Sequence, residues 1–201
     1  MDDVDLALIL AFDCSASVTF EEFGLMAGGC AAALRSRAVV AGLGGGPHAA
    51  CLVAIVLWSG SDAHEILTDW TRIASAVELA TFAQDVDNMP RIVRAGTTAI
   101  GAALLVCEAL LARLPAQATR HVIDMVGDGR SNDGPDPAPI RDRLAASGVT
   151  INGLCVLHEE PDLVESYTRE VVGGPGGFAL QCQDYAGFAE AMAQKLAREM
   201  A

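Results

Sequence analysis

Phe12-Asp13-Cys14-Ser15-Ala16-Ser17 (FDCSAS) follows directly on the apolar run VDLALILA at residues 4–11. An uninterrupted apolar run of this length, rich in branched side chains, predicts a buried strand over 4–12. What ends it is unusual, because an acid and two hydroxyls occupy alternate positions. In a locally extended loop alternate side chains point to the same side, so Asp13, Ser15 and Ser17 bring one carboxylate and two hydroxyls around a common point.

Outward from this stretch the chain alternates between strand and helix. Thr19 and Glu22 form a capping-box pattern for a helix over roughly 20–36, and LGGGPH then breaks the chain. A second apolar run, 51–58, ends at Trp58-Ser59-Gly60, AHEILTDW reads as a short edge strand ending near Asp69, and 71–86 has helical spacing. The turn Gly96-Thr97-Thr98 opens an apolar helix that lasts until Pro115. Next come a strand at 120–126, the polar loop GDGRSNDGPDPAP, a helix at about 138–147, a strand at 149–157, a helix near 161–172, the turn GGPGG, a strand at 178–182 and a last helix from Asp184. This order predicts one α/β domain over residues 1–201, with a mostly parallel central sheet, one antiparallel edge strand and helices on both faces. Open sheets of this kind bind ligands at the carboxyl ends of their strands. FDCSAS and GDGRSND both lie at such ends, and the Gly-Thr-Thr turn lies at a helix start that can face them.

The composition agrees and excludes several functions. Hydrophobic residues make up 52% of the 201 residues and aromatics only 5%, which suits a sheet of Val, Leu and Ile covered by Ala-rich helices. A formal net charge of −13 opposes binding to DNA, RNA or anionic lipid, so no nucleic-acid partner is expected. No apolar segment reaches the length of a membrane span, and MDDVDLALIL is acidic where a signal peptide is basic, so neither membrane insertion nor a signal is expected of the chain as it stands. A periplasmic or secreted setting stays open, since a trimmed leader would leave the same sequence.

Cysteines 14, 30, 51, 107, 155 and 182 form no C-x-x-C pair and mostly sit in apolar runs, so they read as buried thiols. Histidines 48, 64, 121 and 158 are scattered without an i, i+4 pair, and neither they nor the cysteines predict zinc. GLGGGPHAA and GGPGG lack the context of a phosphate-binding loop and read as turns. Trp58 is expected to pack on the core, and Asn132 and Asp133 to be solvated loop residues.

Thr97 and Asp128, from neighbouring loops, complete an all-oxygen cluster around Asp13, Ser15 and Ser17 with two carboxylates. Such a donor set suits Mg²⁺, Mn²⁺ or Ca²⁺, and Mg²⁺ in particular keeps several waters and so leaves a position open.

Asp-x-Ser-x-Ser, the threonine of Gly-Thr-Thr-Ala-Ile-Gly and the aspartate of Gly-Asp-Gly resemble the metal-ion-dependent adhesion site of von Willebrand factor A domains. The order of elements agrees over essentially the whole chain. The phrases WSG, GTTAIGAAL, GDGRSN and GVTINGL are similar to a bacterial family of von Willebrand A-like domains of unknown function, whose relatives often look exported. The resemblance implies a Rossmann-like von Willebrand A fold and a divalent cation, Mg²⁺ first with Mn²⁺ or Ca²⁺ as alternatives. It places the ligands on Asp13, Ser15, Ser17, Thr97 and Asp128. Thr97 is taken over Thr98 because it stands four residues before Gly101. The implied function is a non-enzymatic protein-interaction module, in which an Asp or Glu carboxylate of a protein partner completes the coordination.

Two other readings remain. FDCSAS and GDGRSND also resemble the haloacid dehalogenase-type phosphohydrolases, with Asp13 as nucleophile, but Ser15 stands where those enzymes need a second Asp and the only lysine is Lys195, in the last helix. A degenerate von Willebrand A scaffold that no longer binds metal is the third. In it Ser15, Ser17 and the threonines would be helix caps and Asp128 a turn residue.

Overall fold

The apolar runs become the interior strands of one sheet. In the computed structural model, which describes residues 2–201, β1 (Val4–Asp13), β2 (Cys51–Trp58), β4 (Ala118–Gly127) and β5 (Val149–Val156) are flanked by the edge strands β3 (His64–Ile73) and β6 (Ala179–Cys182). The order is β3-β2-β1-β4-β5-β6, and every neighbouring pair is parallel except β2 with β3. β1 is thus covered by a strand on each side and a helical layer on each face, which is why its sequence is almost wholly apolar.

Among the described residues seven α-helices complete the layers: α1 (Phe20–Leu34), α2 (Arg37–Gly42), α3 (Ala76–Asp87), α4 (Ile100–Leu111), α5 (Pro137–Ala146), α6 (Leu163–Glu170) and α7 (Phe188–Met200). The period of two along β1 divides the core. Leu6, Leu8, Leu10 and Phe12 pack with side chains of α1, α3 and α7. Ile9 and Ala11 pack with α4, α5 and α6 on the other face. The capping box at Thr19 and Glu22 is made in both directions, fixing the start of α1 beside the FDCSAS loop. All six cysteines are buried free thiols. No helix among the described residues is long and apolar enough to cross a membrane.

Three boundaries differ from expectation for identifiable reasons. Residues 71–73 continue β3, pairing with Cys51–Val53, and α3 begins only behind the Ser75 cap. The first helix stops at Leu34, and Ser36 caps the separate short α2. The last helix starts at Phe188, after a 3-10 turn at Tyr185–Gly187 in which the Gly187 N–H donates to Asp184.

The fold also encloses a charge cluster. Lys195 on α7 is fully buried, with its Nζ 2.5 Å from Asp124 Oδ1 of β4 and 2.5 Å from Glu199 Oε1. Asn152 of β5 donates to the same Glu199 oxygen at 2.7 Å. Lys195 is therefore committed to the interior, and the phosphohydrolase reading has no lysine at Asp13.

Candidate metal centre

Because β1 and β4 are parallel neighbours, with Phe12 opposite Val126, their last residues deliver Asp13 and the Gly127-Asp128 turn side by side. Asp13 and Asp128 are fully buried and Ser15 is 1% exposed. Ser15 N donates to Asp13 Oδ1 at 2.6 Å, the hydroxyls of Ser15 and Ser17 lie 3.1 Å apart, and the Ser17 hydroxyl donates to Asp128 Oδ1 at 2.7 Å. The alternation of FDCSAS thus gathers its oxygens at one point, while the intervening Cys14 packs inward. Among the described residues Asp13 Oδ2, which is buried, has no hydrogen-bond partner.

Two buried carboxylates this close disfavour one another. Burial first, and then the charge of Asp128, push the Asp13 carboxyl up to about 7. Burial likewise raises Asp128, against the opposing hydrogen bond from Ser17. The Arg91 guanidinium offsets the strain at Asp13 only in part, because it braces the loop by donating to the carbonyls of Cys14 at 2.9 Å and Ser15 at 3.1 Å. Among the described residues neither Asp13 nor Asp128 has a salt-bridge partner.

The two threonines part company. Thr97 is exposed, and its hydroxyl donates to Asp133 Oδ2 at 2.8 Å, on the side facing Gly60. Thr98 is 5% exposed and is tied into the Asp128 loop. Its N–H donates to Asn132 Oδ1 at 2.8 Å and its carbonyl accepts the Asn132 N–H at 2.9 Å. Its hydroxyl lies 3.7 Å from the point where a Cβ on Gly129 would stand. The structure therefore brings Asp13, Ser15, Ser17 and Asp128 together, and of the two threonines it is Thr98 whose buried hydroxyl lies beside Gly129, next to Asp128, while that of Thr97 is taken up by Asp133. A four-residue spacing to Gly101 does not reveal which of two adjacent hydroxyls faces inward.

Asn132 and Asp133 are likewise more than solvated loop residues. Asp133 accepts from Ser61 N at 3.0 Å as well as from Thr97, and these bonds hold its carboxyl down to about 2. It thereby latches three loops around the site. Trp58 packs in the core as expected, 1% exposed.

Sequence reasoning missed Arg91 and both tyrosines of the chain. Tyr185 donates to Asp128 Oδ2 at 3.4 Å. Tyr167, from α6, is fully buried and its hydroxyl has no partner among the described residues. A Cβ on Gly127 would fall 2.6 Å from that hydroxyl and 3.1 Å from Asp13 Oδ2, so both unpartnered atoms face the same gap. That the chain has only two tyrosines was the one available hint, and no local motif accompanies either.

A family model described as a protein of unknown function (DUF1194) matches residues 3–201. The chain belongs to the DUF1194 family. No curated protein matches it. Among solved structures, this DUF1194 chain is similar to proximal thread matrix protein 1 from the mussel byssus with a zinc-occupied MIDAS motif, at a TM-score of 0.66 and 18% identity over 98% of this chain and 48% of that one. It is similar to a von Willebrand factor type A protein from Catenulispora acidiphila, at 0.63 and 18% over 98% and 42% of the two chains. The vWF domain of the type V pili tip protein Mfa5 from Porphyromonas gingivalis matches at 0.59 and 11%, over 98% and 96%. The DUF1194 chain therefore has the von Willebrand A fold, and it spans less than half the length of the mussel and Catenulispora chains.

Proposed function

We propose that this DUF1194 protein is a metal-dependent protein-interaction module. Asp13, Ser15, Ser17, Thr98 and Asp128 hold a divalent cation at the carboxyl edge of the sheet, and an Asp or Glu of a protein partner docks on it. The observation that carries this reading is the buried pair Asp13 and Asp128, two carboxylates set among hydroxyls with no salt-bridge partner and with Asp13 Oδ2 left without any partner. A buried charge needs a counter-charge, and among the described residues Arg91 offsets Asp13 only in part, with no salt bridge to either carboxylate. Oxygen donors without imidazole or thiolate suit Mg²⁺ before zinc. A cation so held supplies a Lewis-acidic point for a carboxylate.

The chain's own groups do the rest. Ser15 N–H fixes the rotation of Asp13, the Ser17 hydroxyl and Tyr185 fix Asp128, and Arg91 holds the loop carbonyls, so the oxygens are arranged before any ligand arrives. Supporting the reading at the level of fold, the mussel protein carries zinc at a MIDAS motif. Calorimetric titration of the metal-stripped protein with Mg²⁺, Mn²⁺, Ca²⁺ and Zn²⁺ tests it. Saturable binding that disappears in Ser15→Ala/Ser17→Ala is expected; parent and double variant binding alike would refute it.

A further inference from the structure

We infer that the buried cluster of Lys195, Asp124 and Glu199 is the site of an intramolecular cross-link, in which Lys195 Nζ condenses with the Asp124 carboxyl to an amide and Glu199 moves the protons. The inference goes beyond the metal-capture reading and does not depend on it.

An exposed amine and carboxyl stay a loose ion pair because water solvates both charges. Here water is excluded. Lys195 and Asp124 are 0% exposed and Glu199 is 2% exposed. Lys195 Nζ stands 2.5 Å from Asp124 Oδ1 and 2.5 Å from Glu199 Oε1. Neither oxygen of Asp124 has a hydrogen-bond partner among the described residues, so Nζ approaches this carboxyl closely without hydrogen-bond alignment. Glu199, by contrast, is held in place. Asn152 Nδ2 donates to Glu199 Oε1 at 2.7 Å, and Asn152 Oδ1 in turn accepts the Phe178 N–H at 3.0 Å. The Phe178 ring, centred 5.5 Å from Nζ, adds apolar surface beside the amine. An orphan carboxyl, a nucleophile against it and an acid–base group fixed on that nucleophile are the parts that amide formation needs. Groups preset in this way react as though at concentrations of roughly 10⁵–10⁸ M.

Burial, and then the charge of Glu199, push the Asp124 carboxyl up to about 7, which makes its protonated, electrophilic form available near neutral pH. Burial pulls Lys195 down, but the two carboxylates outweigh it, so the resting amine is the ammonium and the reaction is slow. With Glu199 ionised the cluster then carries no net charge. Glu199 takes one proton from the ammonium, and the freed lone pair of Nζ adds to Asp124 Cγ. Glu199 hands that proton to the departing Asp124 hydroxyl and receives a second one from the nitrogen. One N–C bond forms, one C–O bond breaks, one water leaves and Glu199 ends protonated; nothing is oxidised or reduced. The product replaces a buried ion pair, whose desolvation is costly, by a neutral amide that ties α7 to β4. Until the bond closes, the three groups form the ion-paired cluster described above.

Intact-mass spectrometry of the full chain, denatured when fresh and after a week at pH 7 and 37 °C, tests this. The held chain is expected to weigh one water less than its sequence, about 18 Da. Lys195 is the only lysine, so trypsin should release residues 121–130 joined to 170–198, uncut at Lys195. Glu199→Gln, which keeps the shape but not the proton acceptor, should hold its full mass over the same week. A parent that keeps its full mass would overturn the inference. So would a loss of water confined to one linear peptide, 121–130 or 131–141, which marks a cyclised Asp128-Gly129 or Asp133-Gly134. A Glu199→Gln chain that cross-links as fast as the parent would overturn the role given to Glu199.

Discussion

Replacing the only lysine, Lys195→Met, should destabilise the protein by about 3–5 kcal/mol at pH 8, because it leaves two buried carboxylates without their cation. Lys195 and Asp124 are both 0% exposed, and Nζ lies 2.5 Å from Asp124 Oδ1 and from Glu199 Oε1. The Asp124 contact is an ion pair rather than a well-aimed hydrogen bond, since Oδ1 has no hydrogen-bond partner. Burial, and then the charge of Glu199, push the Asp124 carboxyl from 3.8 up to about 7. Burial pulls Lys195 down, but the two carboxylates outweigh it and hold its pKa above the ordinary 10.5. A raised folded-state pKa means that the folded chain binds the proton more tightly than the unfolded one. The Asp124 contribution is therefore present below 3.8 and lost as pH rises toward 7, whereas that of Lys195 persists until pH passes its own raised value. In the variant Asp124 must be protonated to stay buried beside Glu199, which grows harder as pH rises. The loss should accordingly shrink to about 1–2 kcal/mol at pH 5. Urea unfolding followed by circular dichroism at both pH values measures it. At pH 8 the thermal midpoint should drop by roughly 6–20 °C for a chain of this size. A loss under about 1 kcal/mol, or an equal loss at the two pH values, would refute the account.

Thr98→Val should weaken Mn²⁺ binding by about tenfold or more, while Thr97→Val changes it by less than about twofold, as read by electron paramagnetic resonance of free Mn²⁺. The opposite ranking would return the ligand role to Thr97. Gly127→Ala should cost about 1–3 kcal/mol, since the new Cβ meets the Tyr167 hydroxyl at 2.6 Å, and adding Tyr167→Phe should recover part of it in thermal melts. Thr19→Ala should cost about 1 kcal/mol in the same melts by removing one half of the capping box of α1.

β1 and β2 were legible because each is covered on both faces and so reads as an almost unbroken apolar run, whereas β4 and β5, which carry Asp124 and Asn152, were placed by their alternation with helices. The edge strand β3 was harder. Its exposed His64 and Glu65 and half-buried Trp70-Thr71-Arg72 carry too little hydrophobic pattern to fix its end, and only pairing with β2 does so. The site shows the same division. Asp13, Ser15 and Ser17 are one local pattern, and Asp128 lies at a strand end that the alternation of elements locates. Arg91 and Tyr185 reach the site from 77 residues after Cys14 and 57 residues after Asp128, and nothing in their own neighbourhoods announces it.

Two glycines show what such distant contacts ask of the sequence. Gly127 and Gly153 lie in β4 and β5, where glycine gives up side-chain packing and backbone entropy. At Gly153 a Cβ would come 2.7 Å from the Tyr167 ring, and at Gly127 it would come 2.6 Å from the Tyr167 hydroxyl. Both strands have thus given up a side chain to the same tyrosine, which lies across β5 and ends under Asp13. A ring needed only to fill the core could be Phe or Leu and would not require its hydroxyl to end, unpartnered, beside an unpartnered carboxylate oxygen. The arrangement makes sense if Tyr167 and Asp13 belong to one polar site, with α6 as part of its support.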